Sequence, residues 1–277
     1  MQDSFRLWQG SYRHSVNKLA AAIPSRYRFL PRLELLMMPV ALGLFVFLWE
    51  LVIWLGDYPT FILPSVSEVT ATFYRTMMNG TLWHHAQATL FSIFAGLILG
   101  LTTAAVLGYV LAKNLVIERL LAPYVVASQS VPVVAIAPLL VIWFGSGSLS
   151  KVLVCGLIVF FPALINTIVG IRSVDEDLRD LMRSLRAGRW QTFTMLEVPA
   201  ALPVLFGGLK VSVTLSVIGA VVGEFVGADQ GLGFLINQAR GLFNTPLVFV
   251  AIFALVAIAV LLYGVVTIVE RRLLRWR

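Results

Sequence analysis

Six stretches of this chain, at 37–56, 88–112, 120–144, 152–171, 204–223 and 246–269, are almost wholly apolar. Each is long enough to matter. A helix rises 1.5 Å per residue, so crossing a hydrocarbon core of about 30 Å takes roughly 20 apolar residues. In hydrocarbon the backbone must satisfy its own polar groups, which a helix does within a single segment. The stretches at 88–112, 120–144, 152–171 and 246–269 contain no Asp, Glu, Lys or Arg at all. The expected fold class is therefore all-α, a polytopic membrane protein of about six transmembrane helices. Composition agrees, with 59% hydrophobic and 13% charged residues, against about a quarter charged in soluble proteins.

Charge sets the expected orientation. Residues 1–36 carry Arg6, Arg13, Lys18, Arg26, Arg28 and Arg32 and have no apolar run of signal-peptide type before position 35, so they read as a cytoplasmic N-terminal segment. Threading the spans from there places Lys113, Arg119, the Arg172–Arg189 stretch and the tail Arg271, Arg272, Arg275 and Arg277 on the same face. Of 21 Lys and Arg residues only Arg75, Lys151 and Arg240 fall outside, with Lys210 near the inner end of the fifth span. This is the positive-inside pattern, and it puts both termini in the cytoplasm. It also accounts for the net charge of +7 without nucleic acid, because the aromatics sit inside apolar runs rather than among the basic residues. The expected division is a cytoplasmic segment 1–36, a transmembrane domain 37–269 and a basic cytoplasmic tail 270–277.

Between the first two spans, Ser65 and Glu68 stand at capping-box spacing, and Val66, Val69, Phe73 and Met77 recur at helical spacing before Asn79-Gly80. This predicts a short helix on the outer membrane surface. The loop at 172–200 is charged out of proportion: Arg172, Arg179, Arg183, Arg186 and Arg189 alternate with Asp175, Glu176, Asp177, Asp180 and Glu197. Ser173 and Glu176 form a second capping-box pattern, Val174, Leu178, Leu181 and Leu185 an apolar stripe, and Gly188 a break. A second short helix is expected over Trp190–Leu196, ended by Pro199 and Pro203. The physical reading is a helix-turn-helix at the inner surface, with its apolar face on the bundle and its charged face toward a partner. The plain alternative is a solvated amphipathic loop.

The run from Asp180 to Lys210, DLMRSLRAGRWQTFTMLEVPAALPVLFGGLK, resembles the coupling motif of permease subunits of binding-protein-dependent ABC importers. LPSVSEV at 63–69, VPVVAIAPLLVIWFG at 131–145 and VVGEFVGADQGLGFLI at 221–236 extend the likeness to the sulfonate, taurine and nitrate branch. The chain departs from the motif in places. Asp180 stands where the family has Glu, Leu181 and Met182 where it has two alanines, and Arg186 where it has the glycine. Gly188, two residues on, is expected to take over the turn.

The resemblance implies a cytoplasmic coupling helix-turn-helix inserted into a separate ABC ATPase, of which two copies serve two permease subunits, expected to be identical. It also implies an extracytoplasmic solute-binding protein and a bacterial inner-membrane location, with lipid as surrounding partner. No cofactor and no metal are expected. ATP chemistry of its own is not expected either: the lysines Lys18, Lys113, Lys151 and Lys210 are followed by Leu, Asn, Val and Val, so no Gly-x-x-x-x-Gly-Lys-Ser/Thr loop exists. The expected ATPase contacts are Asp180, Arg183, Arg186, Gly188, Arg189 and Trp190. For the arginines, the alternative is contact with lipid headgroups.

Ser128, Gln129 and Ser130 in the third span, Asn166 in the fourth and Glu224 at the outer end of the fifth are the candidates for the translocation pathway, because polar groups in hydrocarbon face protein or a water-filled cavity. Interhelical hydrogen bonding is the alternative for Ser128, Ser130 and Asn166. Gly227, Gly231 and Gly233 with Asp229 point to a tight outer loop, and His84-His85 to interfacial residues outside the spans rather than a metal site. RSLRAGRWQTFTMLEVPAALP is similar to permeases for riboflavin or for pyrimidine precursors of thiamine, which makes a flat heteroaromatic solute the expected substrate. Sulfonate, taurine or nitrate is the alternative within the family. Outside it, the alternative is an ATP-independent secondary transporter.

Overall fold

The apolar stretches are helical, apart from a turn at 130–132, in the computed structural model, which describes residues 30–275. Most of the basic segment 1–36 and the last two residues lie outside that range. The chain divides into two compact units, residues 1–58 and 59–277. In the first, α1 (Leu30–Gly56) is a single helix with Pro39 inside it, and its long apolar side chains, such as Phe47 and Trp54, are exposed. That exposure fits hydrocarbon as the solvent.

The second unit begins with α2 (Val66–Met78), capped as its sequence predicts: Ser65 Oγ accepts from the Glu68 N–H, and the Glu68 carboxylate accepts from the Ser65 N–H at 2.9 Å. There follow α3 (Thr81–Lys113), α4 (Leu115–Gln129), α5 (Val133–Phe144), α6 (Ser148–Arg172), α7 (Glu176–Ser184), α8 (Arg189–Thr192), α9 (Val198–Gly227), α10 (Leu232–Gly241) and α11 (Thr245–Leu273). Helices α3 and α6 run parallel, α9 returns against α6, and α11 reverses again. Lys113 meets Glu197 at one end, Lys151 meets Asp229 at the other, and Lys210 pairs with Glu270 between α9 and α11. The tail boundary expected at 270 falls inside α11.

Small residues make the centre of this bundle. On α3, Gly96, Gly100, Ala104 and Gly108 stand four apart on one buried face. A methyl group at Gly96 would lie 2.4 Å from Cys155 Sγ, and one at Gly108 would lie 2.7 Å from Thr167 Cβ. Across the other face of α6, a methyl at Gly219 of α9 would lie 2.8 Å from Cys155 Cα. Backbones approach this closely where dispersion, rather than water exclusion, holds helices together in lipid. Cys155 is accordingly buried, donating to the Ser216 carbonyl at 3.4 Å. Large apolar residues such as Ile98, Val106 and Leu261 face outward instead.

Two expectations about the spans need correction. The third is not one helix: α4 and α5 meet at 90° across Ser130–Pro132. Pro132 lacks an N–H and disfavours helical backbone in the residue before it, so the chain turns there. The fifth, conversely, does not stop at its prolines. Helix α8 passes through a π-helical turn at Phe193–Glu197 directly into α9, giving an unbroken 39-residue stretch from Arg189 to Gly227. Pro199 and Pro203 lie inside that stretch, and the wider π turn ahead of them lets the backbone pass.

Candidate functional site

The charged loop folds as two short arms, but not capped as its sequence predicts. Ser173 ends α6 and donates to the Gly170 carbonyl at 2.8 Å, while Asp175 caps α7 by accepting from the Asp177 N–H at 2.9 Å. Ser173 is unavailable because α6 continues to Arg172. Helix α7 ends in a Schellman turn, with Arg186 N–H donating to Arg183 O and Ala187 N–H to Met182 O, both at 2.9 Å. The left-handed residue of that turn is Arg186, at φ +52°, whereas Gly188 has ordinary extended backbone at φ −69°. Gly188 therefore does not take over. The arginine keeps the glycine's conformation and bears its strain. Replacing Arg186 with Gly is expected to stabilise the protein by about 1 kcal/mol. Thermal unfolding of the two proteins in the same detergent checks this, and an unchanged or lower midpoint contradicts it.

The apolar stripe also lies differently from expectation. Val174 is buried, but Leu178, Leu181 and Leu185 are 45%, 53% and 68% exposed. A nine-residue helix is too short to lay its whole stripe on the bundle, and a single polar bond, Arg179 Nη2 to the Ile171 carbonyl at 2.7 Å, ties it to α6. Arg183 pairs with Asp180 of the same helix at 2.8 Å, both side chains being exposed. Arg189 and Trp190 open the second arm, with Trp190 73% exposed.

Residues that the sequence did not single out anchor that arm. Glu197, 1% exposed, accepts from the Tyr109 hydroxyl at 3.1 Å and pairs with Lys113. Phe193 packs edge-on against Tyr109 and lies beside Trp190, with ring centroids at 5.2 and 5.6 Å. Arg172 grips Glu118 with both terminal nitrogens, one at 2.8 Å, tying α6 to the first turn of α4. Glu197 carried one usable signal, a lone carboxylate at the mouth of an apolar span. Its partner at position 113 had none.

The pathway candidates are scattered. Ser128, Gln129 and Ser130 sit together at the α4–α5 bend, exposed, each bonding back to a carbonyl one turn earlier, at 2.7 Å for Ser128. Gln129 borders a cavity of about 240 Å³ that also includes Glu118, Ile165 and Val169. Asn166 borders another of about 180 Å³, with Leu101, Ala105, Leu205 and Gly208, while its amide donates to the Pro162 carbonyl at 2.8 Å.

Glu224 is elsewhere, buried at the opposite end among groups that hold α10. The first N–H groups of a helix have no intrahelical acceptors, and here other helices supply them. Gly231 N–H donates to His85 Nδ1 at 3.1 Å, Leu232 N–H to Thr89 Oγ1 at 2.8 Å and Gly233 N–H to Glu224 Oε2 at 2.7 Å. Lys151, buried in α6, adds an ion pair to Asp229 at 3.5 Å and a bond to the Gln230 carbonyl at 3.4 Å. The tight glycine loop is thus as expected. His85 is not outside the spans, however, but buried in the second turn of α3.

Among the described residues, five helices long and apolar enough to cross a membrane, a broken sixth span and a charged two-arm segment at one end make a polytopic membrane subunit. Its comparisons with known proteins agree. The chain belongs to the family described as binding-protein-dependent transport system inner membrane component, whose model matches residues 96–275. It is 48% identical to the riboflavin transport system permease protein RibX of Chloroflexus aurantiacus, over 92% of this chain and 96% of that one. It is 36% identical to the formylaminopyrimidine transport permease protein ThiX of Halalkalibacterium halodurans, over 83% and 91%. To the taurine transport system permease protein TauC of Escherichia coli it is 31% identical over 72% of each chain. A solved structure of the MetNI methionine ABC transporter shares the fold at 20% identity, with a TM-score of 0.57 over 69% of this chain and 94% of that one. The protein is a multi-pass inner-membrane permease subunit of an ABC importer, and its family implies an ATPase and a solute-binding protein as partners.

Proposed function

We propose that this permease imports a flat heteroaromatic solute, riboflavin or a pyrimidine precursor of thiamine, using ATP hydrolysed by two copies of a separate ATPase beneath a pair of identical permease subunits. The cytoplasmic face is the one bearing α7 and α8, and the α10 end receives the solute-binding protein. The observation that carries the coupling role is the open leucine stripe of α7, held beside the Asp180–Arg183 pair and the exposed Trp190. Apolar anchors with a charged rim are what a docked helix needs. Asp180, Arg183, Arg186, Arg189 and Trp190 supply the rim, Gly188 leads into the second arm, and the leucines supply the anchor.

Affinity purification of the tagged permease from its native membrane tests this. Wild type is expected to bring down a P-loop ATPase, and Leu181→Asp to lower its recovery at least tenfold while the permease stays folded. Undiminished recovery from Leu181→Asp, and from charge reversal at both Asp180 and Arg183, would remove the coupling role.

The substrate reading rests on the 48% identity to RibX. It is supported by the cavities at Asn166 and Gln129, whose linings have no basic side chain. A sulfonate calls for cations there. Ser128, Gln129, Ser130 and Asn166 remain the pathway residues in this reading, while Glu224 serves the outer gate. Gln129→Leu is expected to reduce uptake of labelled riboflavin several-fold without loss of assembled complex. Uptake equal to wild type removes Gln129 from the pathway, and wild-type uptake of taurine instead of riboflavin overturns the substrate.

A further inference from the structure

Two cavities meet where the charged arm joins the bundle, and their chemistries are opposite. One, of about 830 Å³, is bordered by the cations Lys113, Arg179, Arg183 and Arg189 and by a single carboxylate, Glu197. The other, of about 630 Å³, is bordered by apolar side chains, among them Val106, Val110, Ile171, Trp190, Phe193 and Leu205. Tyr109 and Arg189 belong to both, so the two are adjoining compartments.

The charges in the first cavity do not balance internally. Glu197 is committed to Lys113 and the Tyr109 hydroxyl, and Arg183 to Asp180. That leaves Arg179 and Arg189 without a carboxylate among the described residues. Arg179 spends one terminal nitrogen on the Ile171 carbonyl, yet its Nε is buried and makes no hydrogen bond. A buried donor without an acceptor is costly, and guanidinium groups match phosphate oxygens in geometry as well as charge.

Depth completes the picture. The apolar cavity follows α3 from Val110 back to Ala105, some 5–12 Å inward from Lys113 at 1.5 Å per residue. Half of a hydrocarbon core is about 15 Å thick. The paired compartments therefore span one leaflet, charge at its surface and apolar walls beneath.

We propose that this double cavity is a binding site for one anionic phospholipid of the cytoplasmic leaflet, its phosphate held by Arg179 and Arg189 and an acyl chain laid along Val106, Val110 and Phe193. The site needs only the chain's position in the membrane; it shares Arg189 with the docking rim and uses none of the leucine stripe. A lipid held there touches α3, α6, α7 and the start of α9 together, so it braces the charged arm against the bundle.

The test uses the full-length permease in its assembled complex, purified in mild detergent, delipidated and titrated with phosphatidylglycerol, then with phosphatidylcholine of the same chains and with inorganic phosphate, read by native mass spectrometry. Wild type is expected to retain one more phosphatidylglycerol per permease than the Arg179→Gln/Arg189→Gln double variant, and to bind it at least tenfold more tightly than phosphatidylcholine. Val110→Trp, which fills the apolar half and keeps every charge, is expected to lower phosphatidylglycerol binding by a similar factor. Arg179→Lys, keeping the charge, is expected to restore most of it relative to Arg179→Gln. Equal binding of the two lipids, or undiminished phosphatidylglycerol on the folded double variant, overturns the site. Phosphate binding as tight as the lipid's, insensitive to Val110→Trp, overturns the acyl compartment and with it the lipid assignment. ATPase recovery from the Val110→Trp and Arg179→Gln preparations, in which every docking residue is intact, reports separately on the docking reading.

Discussion

Gly231→Ala is expected to cost about 3 kcal/mol of stability and to abolish transport. Gly231 has φ +125° and ψ 162°, a region of backbone space essentially confined to glycine, worth about 1–3 kcal/mol of strain to any other residue. A methyl group there would also lie 2.2 Å from the Glu224 carboxyl carbon, and Glu224 is fixed from its other side by the Gly233 N–H. Relief requires that the loop withdraw or the carboxylate turn away, and either movement breaks the row of three N–H bonds at the start of α10. Overpacking of this kind adds roughly 1–3 kcal/mol. Gly207→Ala is the control, since its methyl, in the interior of α9, meets nothing within 4 Å, and it should leave stability level or raise it by up to about 1 kcal/mol. Thermal unfolding in detergent and uptake in reconstituted vesicles distinguish the two. Equal tolerance of both would mean that the outer loop is loosely held.

At the other end, Lys113→Met is expected to destabilise the protein by about 2 kcal/mol. It strands the Glu197 carboxylate, which is fully buried and keeps only the Tyr109 hydroxyl. Removing one partner of a buried pair costs about 3–5 kcal/mol. Because the Lys113 side chain is 41% exposed, water can reach the site and the smaller figure applies. Adding Glu197→Gln should recover more than half of the loss, since the amide carries no charge to strand. A double-mutant cycle measures this directly, and additive losses would show that the pair contributes nothing as a pair. The Lys113→Met variant should also lower transport-coupled ATP hydrolysis more than its stability loss explains, because Glu197 lies in the π turn joining the second arm to α9.

The number of spans was legible in the sequence because hydropathy over 20 residues reports directly on the solvent. Ser65 and Glu68 were equally legible, because a capping box is closed within four residues. The bend at Ser130–Pro132 was not. Pro39, Pro123, Pro138, Pro162 and Pro203 all sit inside helices, so a proline in an apolar run does not by itself announce a break. Nor could the caps on α10 be read, since Gly231 and His85 are 146 positions apart and an adjacent histidine pair carries no hint of a backbone partner. Arg186 is the instructive case. Its place in the motif named the turn, but arginine is so poor a left-handed residue that Gly188 looked the better candidate. The chain retained the geometry and changed the residue. Among the site residues, charge drew attention to the exposed arm, whereas the buried pair that seats the arm, Lys113 with Glu197, joins two segments far apart in sequence.

The continuity of the backbone from Arg189 to Gly227 has a mechanical consequence. Thirty-nine helical residues at 1.5 Å each make a beam of about 58 Å, with the second charged arm as its first turn and Glu224 three residues from its far tip. A tilt of one degree about one end displaces the other by about 1 Å. That is enough to stretch a 2.7 Å hydrogen bond, such as Glu224 makes to Gly233, beyond bonding distance. If the stretch tilts as a unit, a movement at the arm too small to disturb the packing beside it is read out near Glu224 as the making or breaking of a single bond.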